Sequence, residues 1–196
     1  MKRTAKVLPI SLWIILFLGF TNMLTSCNLS KQPAPVAEEE TWQEILEHDL
    51  NLLGHRNWIL VVDKAFPEQS SPGMKYLYVE KDLLPTLDYV LDAIDKSTHV
   101  KPIIYQDKEL SYITEEQMPG IDAFRSNADK VLEGRTVNTL LHDEVFGLLD
   151  ESSSLFRVLV IKTNCTLPYT SLFLQLDCSY WGPENEKLLR EQISGH

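Results

Sequence analysis

The stretch that decides the fold is GHRNWILVVDKAFP, which runs from Gly54 to Pro67. Its centre, WILVV, is a continuous apolar run of β-branched and aromatic residues, and such a run is typical of a strand that is covered on both faces. A polar Gly-His pair comes before the run, and Asp63 follows directly after it. Because ligand sites in layered α/β proteins gather at strand ends, we expect this strand to deliver residues to a site.

Helical and strand patterns alternate around this run. Residues 41–53 have apolar side chains at helical spacing, with Thr41 as N-cap, Glu44 as its capping-box partner and Gly54 placed to end the helix in a left-handed cap. Beyond the loop FPEQSSPG, the patterns predict helices at 81–94, 120–133 and 142–152 and strands at 101–107, 135–141, 156–163 and 171–178. This alternation predicts a three-layer α/β domain with a largely parallel central sheet. The short connection NCTLPYT favours a hairpin between the last two strands.

The first 26 residues have the composition of a cleaved export signal. A basic start precedes the apolar stretch from Ile10 to Phe20, which is too short for a transmembrane helix, and LTSC closes it at Cys27. LTSC resembles the lipobox of bacterial lipoproteins, in which the cysteine is acylated; the alternative is a secreted protein in which Cys27 is incidental. We expect a signal peptide at 1–26, an acylated Cys27 with a flexible tether at 27–40, and a folded domain at 41–196. The lipid would anchor the chain in a bacterial envelope, with the outer membrane preferred.

Charge and cysteine content exclude several classes of function. The chain has 18 basic and 28 acidic residues, so its net charge is −10. Such a polyanion repels phosphate backbones, and we expect no nucleic-acid partner. The predicted strand between Cys165 and Cys178 holds them about 20 Å apart, so we expect two free, buried thiols. No metal-ligand spacing and no nucleotide-binding loop is present, and we expect no metal and no cofactor.

Polar residues stand at the predicted element ends: His55, Asp63, His142 and Tyr169. Converging on one site, they could bind a polyol and move protons at neutral pH, because imidazole both gives and takes a proton there. Each also has a structural interpretation, as a solvated loop histidine, a turn cap, an acidic helix start and a packed turn aromatic respectively. The residues alone therefore indicate an envelope α/β domain and leave its function open.

A resemblance to a known family reduces the number of possible functions. GHRNWILVVDKAFP resembles the signature of the D-ribose pyranase and L-fucose mutarotase family, in which Gly-His lies eight residues before an Asp and an apolar residue and Pro close the stretch. Two weaker matches follow in order. GRTVNTLLHDEVF resembles the family's Gly-led strand followed by His and an acid, and VIKTNCTLPYTSLFLQ resembles its closing strand, turn and final strand. Together the matches cover roughly residues 41–181.

The resemblance implies the family's fold and its activity, the cofactor-free interconversion of anomers or ring forms of a free monosaccharide of the ribose or fucose type. It implies that His55 is the general acid/base, and that the sugar hydroxyls are held by Asp63, His142, Tyr169 and Ser171. It also implies a homo-oligomer, because the family forms rings of subunits with sites near the interfaces.

Three residues depart from the family pattern, and one of them, Trp58, replaces a smaller residue. Lys64 places a long cation after Asp63, and Ser171 stands where the family usually has Asn. These departures favour an alternative function, a non-catalytic monosaccharide-binding lipoprotein with the same fold. A structural lipoprotein without a site is the third hypothesis.

Overall fold

Strand β1 (Trp58–Val62) lies inside the central sheet, and all five of its side chains are buried. The structure is a computed structural model that describes residues 40–195, so the predicted signal peptide, Cys27 and the predicted tether up to residue 39 lie outside the described residues. Along β1 the side chains alternate between two apolar clusters. Ile59 and Val61 face one cluster, whereas Trp58, Leu60 and Val62 face the other. This two-sided burial explains why the strand is apolar at every position.

Helices cover both faces of the sheet. The α-helices of the described residues are α1 (Trp42–Leu50), α2 (Leu83–Lys96), α3 (Ile121–Val131), α4 (His142–Leu155) and α5 (Pro183–Ser194). Helices α1, α2 and α3 contribute buried side chains to the cluster of Ile59, and α4 contributes Val145 and Leu149 to the cluster of Trp58. Helix α5 buries none of its residues and has no counterpart among the helices predicted from the sequence.

Five further strands complete the sheet: β2 (Met74–Tyr78), β3 (Val100–Asp107), β4 (Val137–Leu140), β5 (Val158–Lys162) and β6 (Leu172–Cys178). Their order is β2-β5-β1-β6-β3-β4, and every neighbouring pair is parallel except the two that β6 makes. The predicted α/β fold with a largely parallel sheet is confirmed. The edge strand β2 was not predicted.

The predicted hairpin between the last two strands is wrong. The connection reverses the chain as a hairpin would, but β6 pairs with β1 and β3, and β1 lies between β5 and β6. The connection that follows β5 therefore passes over β1, and β6 enters the sheet between β1 and β3. This insertion places the residues before β6 between the ends of β1 and β3.

The start of α1 follows the prediction, and its end does not. Thr41 and Glu44 form the capping box. The helix ends at Leu50, however, and the left-handed residue of the following turn is Arg56, with φ 73°. The Gly54 N–H donates to Asn57 Oδ1 at 2.8 Å, so a side chain of the turn, rather than a left-handed glycine, satisfies the backbone there.

Cys165 and Cys178 are free thiols, as predicted, and both are half-buried rather than fully buried. Among residues 40–195, no helix is long and apolar enough to cross a membrane.

Candidate active site

One edge of the sheet collects the polar residues. Strands β1, β3, β4 and β5 all end there and the antiparallel β6 begins there; we call it the carboxyl edge. Asp63 follows β1, Asp107 ends β3, and His142 begins α4 directly after β4. Tyr169 and Ser171 lie in the connection that enters β6. The edge therefore brings together four of the five predicted site residues.

Ser171 fixes the carboxylate of Asp63. Its hydroxyl donates to Asp63 Oδ2 at 2.8 Å, and the Asp63 N–H donates to Ser171 Oγ at 3.2 Å. The other carboxylate oxygen accepts the Ala65 N–H at 2.8 Å. Ser171 is only 2% exposed, so its hydroxyl serves Asp63 from inside the fold. The Ser171 side chain therefore holds Asp63 in place.

His142 pairs with a buried carboxylate. Its Nδ1 lies 3.1 Å from Oδ2 of Asp107, whose exposed fraction is 1%. Burial raises the pKa of Asp107 to about 6, the hydrogen bond and charge of His142 oppose this rise, and the nearby carboxylates of Glu109 and Asp63 add to it. Within residues 40–195, Asp107 Oδ1 has no hydrogen-bond partner although it is buried.

Aromatic rings and a second carboxylate hold His142 in place. The ring centroids of Phe146 and Tyr169 lie 4.7 Å and 5.3 Å from that of His142, with the Tyr169 ring nearly perpendicular to it. The His142 backbone N–H donates to both carboxylate oxygens of Glu109 at 3.1 Å, which also favours the start of α4 electrostatically. Tyr169 has a left-handed backbone, with φ 57°. Such a conformation is unfavourable for a non-glycine residue and is concentrated at functional sites.

His55 is the predicted site residue that the single chain does not bring to the carboxyl edge. It precedes β1, whereas Asp63 follows it, and a rise of about 3.3 Å per residue separates the two ends by about 20 Å. His55 instead lines a surface cavity together with Cys178, the last residue of β6, and Trp181, which follows that strand. Its role in catalysis stays a prediction.

The sequence predicts a cation, Lys64, beside the site, but the structure places its ammonium group elsewhere. Its Nζ lies 2.6 Å from the Tyr78 hydroxyl and 3.1 Å from Asn164 Oδ1. Tyr78 ends β2 and Asn164 follows β5, and both strands lie on the opposite side of β1 from β6 and β3. The cation is therefore directed away from the Asp107–His142 pair.

Asp107 and Glu109 are the residues that the sequence analysis missed. The signal was present, because Asp107 ends the predicted strand KPIIYQD just as Asp63 follows WILVV. In residues 40–195, no group of three or more His, Cys, Asp or Glu side chains is arranged to hold a metal ion. The arrangement instead offers one imidazole, three carboxylates and a phenol, which can hold hydroxyl groups and transfer protons.

No protein-family model matches this chain, and no curated protein matches it either. Solved structures do. RbsD of Bacillus subtilis, complexed with D-ribose, is 18% identical, with 72% of this chain and 98% of that chain covered and a TM-score of 0.51. The fucose mutarotase of Streptococcus pneumoniae, in complex with L-fucose, is 14% identical, with 74% and 98% covered and a TM-score of 0.48. FucU from Bifidobacterium longum is 16% identical, with 68% and 93% covered and a TM-score of 0.47. The likeness to RbsD shows that this chain has the RbsD fold, which confirms the fold that the sequence resemblance implied.

Proposed function

We propose that this protein is a monosaccharide mutarotase or pyranase of the D-ribose pyranase and L-fucose mutarotase family, anchored in a bacterial envelope through an acylated Cys27. One observation carries the proposal. The hydrogen-bonded pair of His142 and Asp107 lies with Asp63 and Tyr169 at the carboxyl edge of a chain with the RbsD fold. Because the RbsD neighbour is complexed with D-ribose, D-ribose is the first substrate to test, followed by L-fucose.

The reaction requires little beyond positioned proton donors and acceptors. Opening a hemiacetal ring removes the proton of the anomeric hydroxyl and delivers a proton to the ring oxygen, while the bond from C1 to the ring oxygen breaks. Closure reverses these transfers with the other face of the aldehyde or another hydroxyl. One group must accept a proton while a second donates one, so two acid/base groups are needed.

The proposal assigns His55 to one of these two roles. Since His55 lies at the opposite end of β1 from Asp63, it would reach a sugar at the carboxyl edge from a neighbouring copy of the chain. The homo-oligomer that the sequence resemblance implies supplies such a copy.

Exchange NMR of free sugars with the purified chain tests the activity. With D-ribose or L-fucose near pH 7, we expect faster exchange between anomeric or ring-form signals, and loss of this exchange in His55→Gln and in His142→Gln. His48→Gln is the matched control, because the His48 side chain is 74% exposed on α1. Equal exchange with and without the protein, across a panel of free sugars, would refute the mutarotase function.

A non-catalytic sugar-binding lipoprotein is the second candidate. It is favoured by the distance of His55 from the carboxyl edge and by the engagement of both Asp63 carboxylate oxygens within the chain. It predicts saturation transfer from protein to sugar, and thermal stabilisation by sugar, without faster exchange. Under this alternative His55→Gln would leave the affinity for sugar unchanged.

A further inference from the structure

We propose that Asp107 is the positioning residue of His142, which it holds as the Nδ1–H tautomer so that the Nε2 lone pair serves as the proton acceptor for the anomeric hydroxyl. This inference rests on the proposed mutarotase function. It makes His142 the second acid/base group rather than a residue that only binds sugar hydroxyls. It also assigns a role to Asp107, which the family resemblance does not include.

The tautomer follows from the hydrogen bond. An ionised carboxylate can only accept, so the imidazole nitrogen 3.1 Å from Asp107 Oδ2 must carry the proton. That nitrogen is Nδ1, and the lone pair of the neutral ring is then on Nε2. Within residues 40–195, Nε2 has no hydrogen-bond partner, and the His142 side chain is 38% exposed. The ring is therefore held at one nitrogen and left unpaired at the other.

The ring is also held in orientation. Phe146 and Tyr169 contact it through their aromatic rings, and Glu109 fixes the backbone from which it projects. A base positioned in this way loses little freedom when a sugar binds, which is the condition under which proximity lowers a barrier.

A purely structural role explains Asp107 poorly. Its carboxyl group is almost fully removed from water, and within the described residues one of its two oxygens lacks a partner. Burying a carboxylate in this way is costly, whereas a neutral side chain could fill the same space. Groups held at such a cost are concentrated in functional sites.

The proton balance of the step is simple. His142 Nε2 takes the anomeric hydroxyl proton, the electron pair of that O–H bond forms the C1=O double bond, and the bond from C1 to the ring oxygen breaks. The ring oxygen takes a proton from the second acid, the role proposed for His55. The imidazolium that forms is stabilised by the Asp107 carboxylate, and ring closure returns both protons.

The first arm of the test measures the tautomer directly. In the ¹⁵N spectrum of the histidine-labelled chain above pH 7, we expect a protonated Nδ1 and an unprotonated Nε2 for His142, assigned by the loss of these signals in His142→Gln. In Asp107→Asn the amide group can donate to Nδ1, and we expect His142 to shift toward the Nε2–H tautomer. Asp143→Asn is the matched control, because Asp143 is exposed and adjacent to His142, and it should leave the tautomer unchanged. An Asp107→Asn chain whose His142 remains the Nδ1–H tautomer would overturn the inference.

The second arm measures exchange of D-ribose and L-fucose. General acid/base groups contribute about 10²–10⁴-fold, so Asp107→Asn should lower the exchange rate by about 100-fold or more, with sugar affinity changed less than about threefold. Asp107→Glu, which restores the carboxylate, should recover part of the rate. A rate within twofold of the parent in Asp107→Asn would also overturn the inference. Absence of exchange in the parent chain would instead refute the proposed function, and the tautomer measurement would still decide whether Asp107 positions His142.

Discussion

Asp107 makes the fold less stable at neutral pH than at mildly acidic pH. Its pKa is raised from 3.8 to about 6 in the folded chain, so the folded state binds a proton more tightly than the unfolded state does between these values. The stability that this group contributes is full below about pH 4, falls as the pH rises to about 6, and is then lost. The shift corresponds to at most about 3 kcal/mol.

We therefore expect Asp107→Asn to be more favourable for stability at pH 7.5 than at pH 4.5, by up to about 2 kcal/mol, because the unfolded carboxyl is already largely ionised at pH 4.5. Urea unfolding of parent and variant at both pH values measures the difference, and taking the difference between the chains removes the contribution of shared titrating groups. Asp143→Asn, on the exposed side of α4, should show no such dependence. A double difference below about 0.5 kcal/mol would show that Asp107 is not a destabilising buried charge.

The position of Lys64 directly after Asp63 suggests that it affects sugar binding, but its contacts in the structure predict that it does not. Because its Nζ is engaged by Tyr78 and Asn164 on the far side of β1, Lys64→Ala should change sugar affinity by less than about twofold. Asp63→Asn is the comparison, since it removes a charged acceptor at the carboxyl edge and should weaken binding by about tenfold. Titration of each variant with D-ribose, followed by NMR, measures both. A large loss of affinity in Lys64→Ala would place the cation at the sugar after all.

At the scale of elements, Gly73 lets the chain entering β2 approach the C-terminal end of α4. A Cβ atom at this position would lie 2.2 Å from the Phe156 carbonyl oxygen and 2.3 Å from that of Ser153, and neither backbone oxygen can move without disturbing the end of α4. The Gly73 N–H donates to the same Ser153 oxygen. The close contact therefore needs a residue without a side chain.

Gly73→Ala should destabilise the fold by about 2 kcal/mol, the cost of forcing backbone apart in a packed region. Gly147→Ala is the control, because Gly147 lies within α4, the helix that Gly73 contacts, and a Cβ at Gly147 meets nothing within 4 Å. Alanine there should stabilise the fold by about 0.5–1 kcal/mol, since it lowers the entropy of the unfolded chain. Chemical denaturation of both variants measures the pair, and equal effects would contradict the packing argument.

The elements differ in how far the sequence could predict them. The buried strand β1 was predictable because five consecutive apolar residues require cover on both faces. Strand β2 was not, because it lies at the edge of the sheet and its residues are only partly buried. Asp107 was missed for a related reason. A strand pattern shows where a strand ends, but not that its last carboxylate faces a histidine 35 residues later.

The insertion of β6 could not be predicted from the length of its connection. A short connection requires the chain to reverse its direction, but it does not determine which strand the next strand pairs with. The pairing of β6 with β1 and β3 brings Ser171 to Asp63 and Tyr169 to His142. The family resemblance predicted these residues as one site, and strand order supplies the physical reason why they meet.

At the scale of the whole molecule, the proposed envelope anchor leads to a separate prediction. If Cys27 is acylated, the parent chain should remain in the membrane fraction of a bacterial host, and Cys27→Ser should abolish lipid labelling and shift the protein out of that fraction. Radiolabelled palmitate and fractionation measure the two effects. Cys178→Ser is the control, because Cys178 lies in the folded domain. Unlabelled parent protein would contradict the lipoprotein hypothesis and leave the sugar chemistry untouched.

Assembly decides whether His55 belongs to the site. One chain places His55 and His142 at opposite ends of the sheet, so a site that needs both must combine two copies. Inactive His55→Gln and His142→Gln subunits, unfolded together and refolded as a 1:1 mixture, should then recover about one quarter of the parent exchange rate, because one site in four receives both intact histidines. Each variant refolded alone is the control.

If the mixture stays inactive while parent subunits refold actively, the two histidines do not share a site between copies. If His55→Gln alone is fully active, catalysis depends on the carboxyl edge of a single chain, and the second proton must come from Tyr169, from Asp63 or from water.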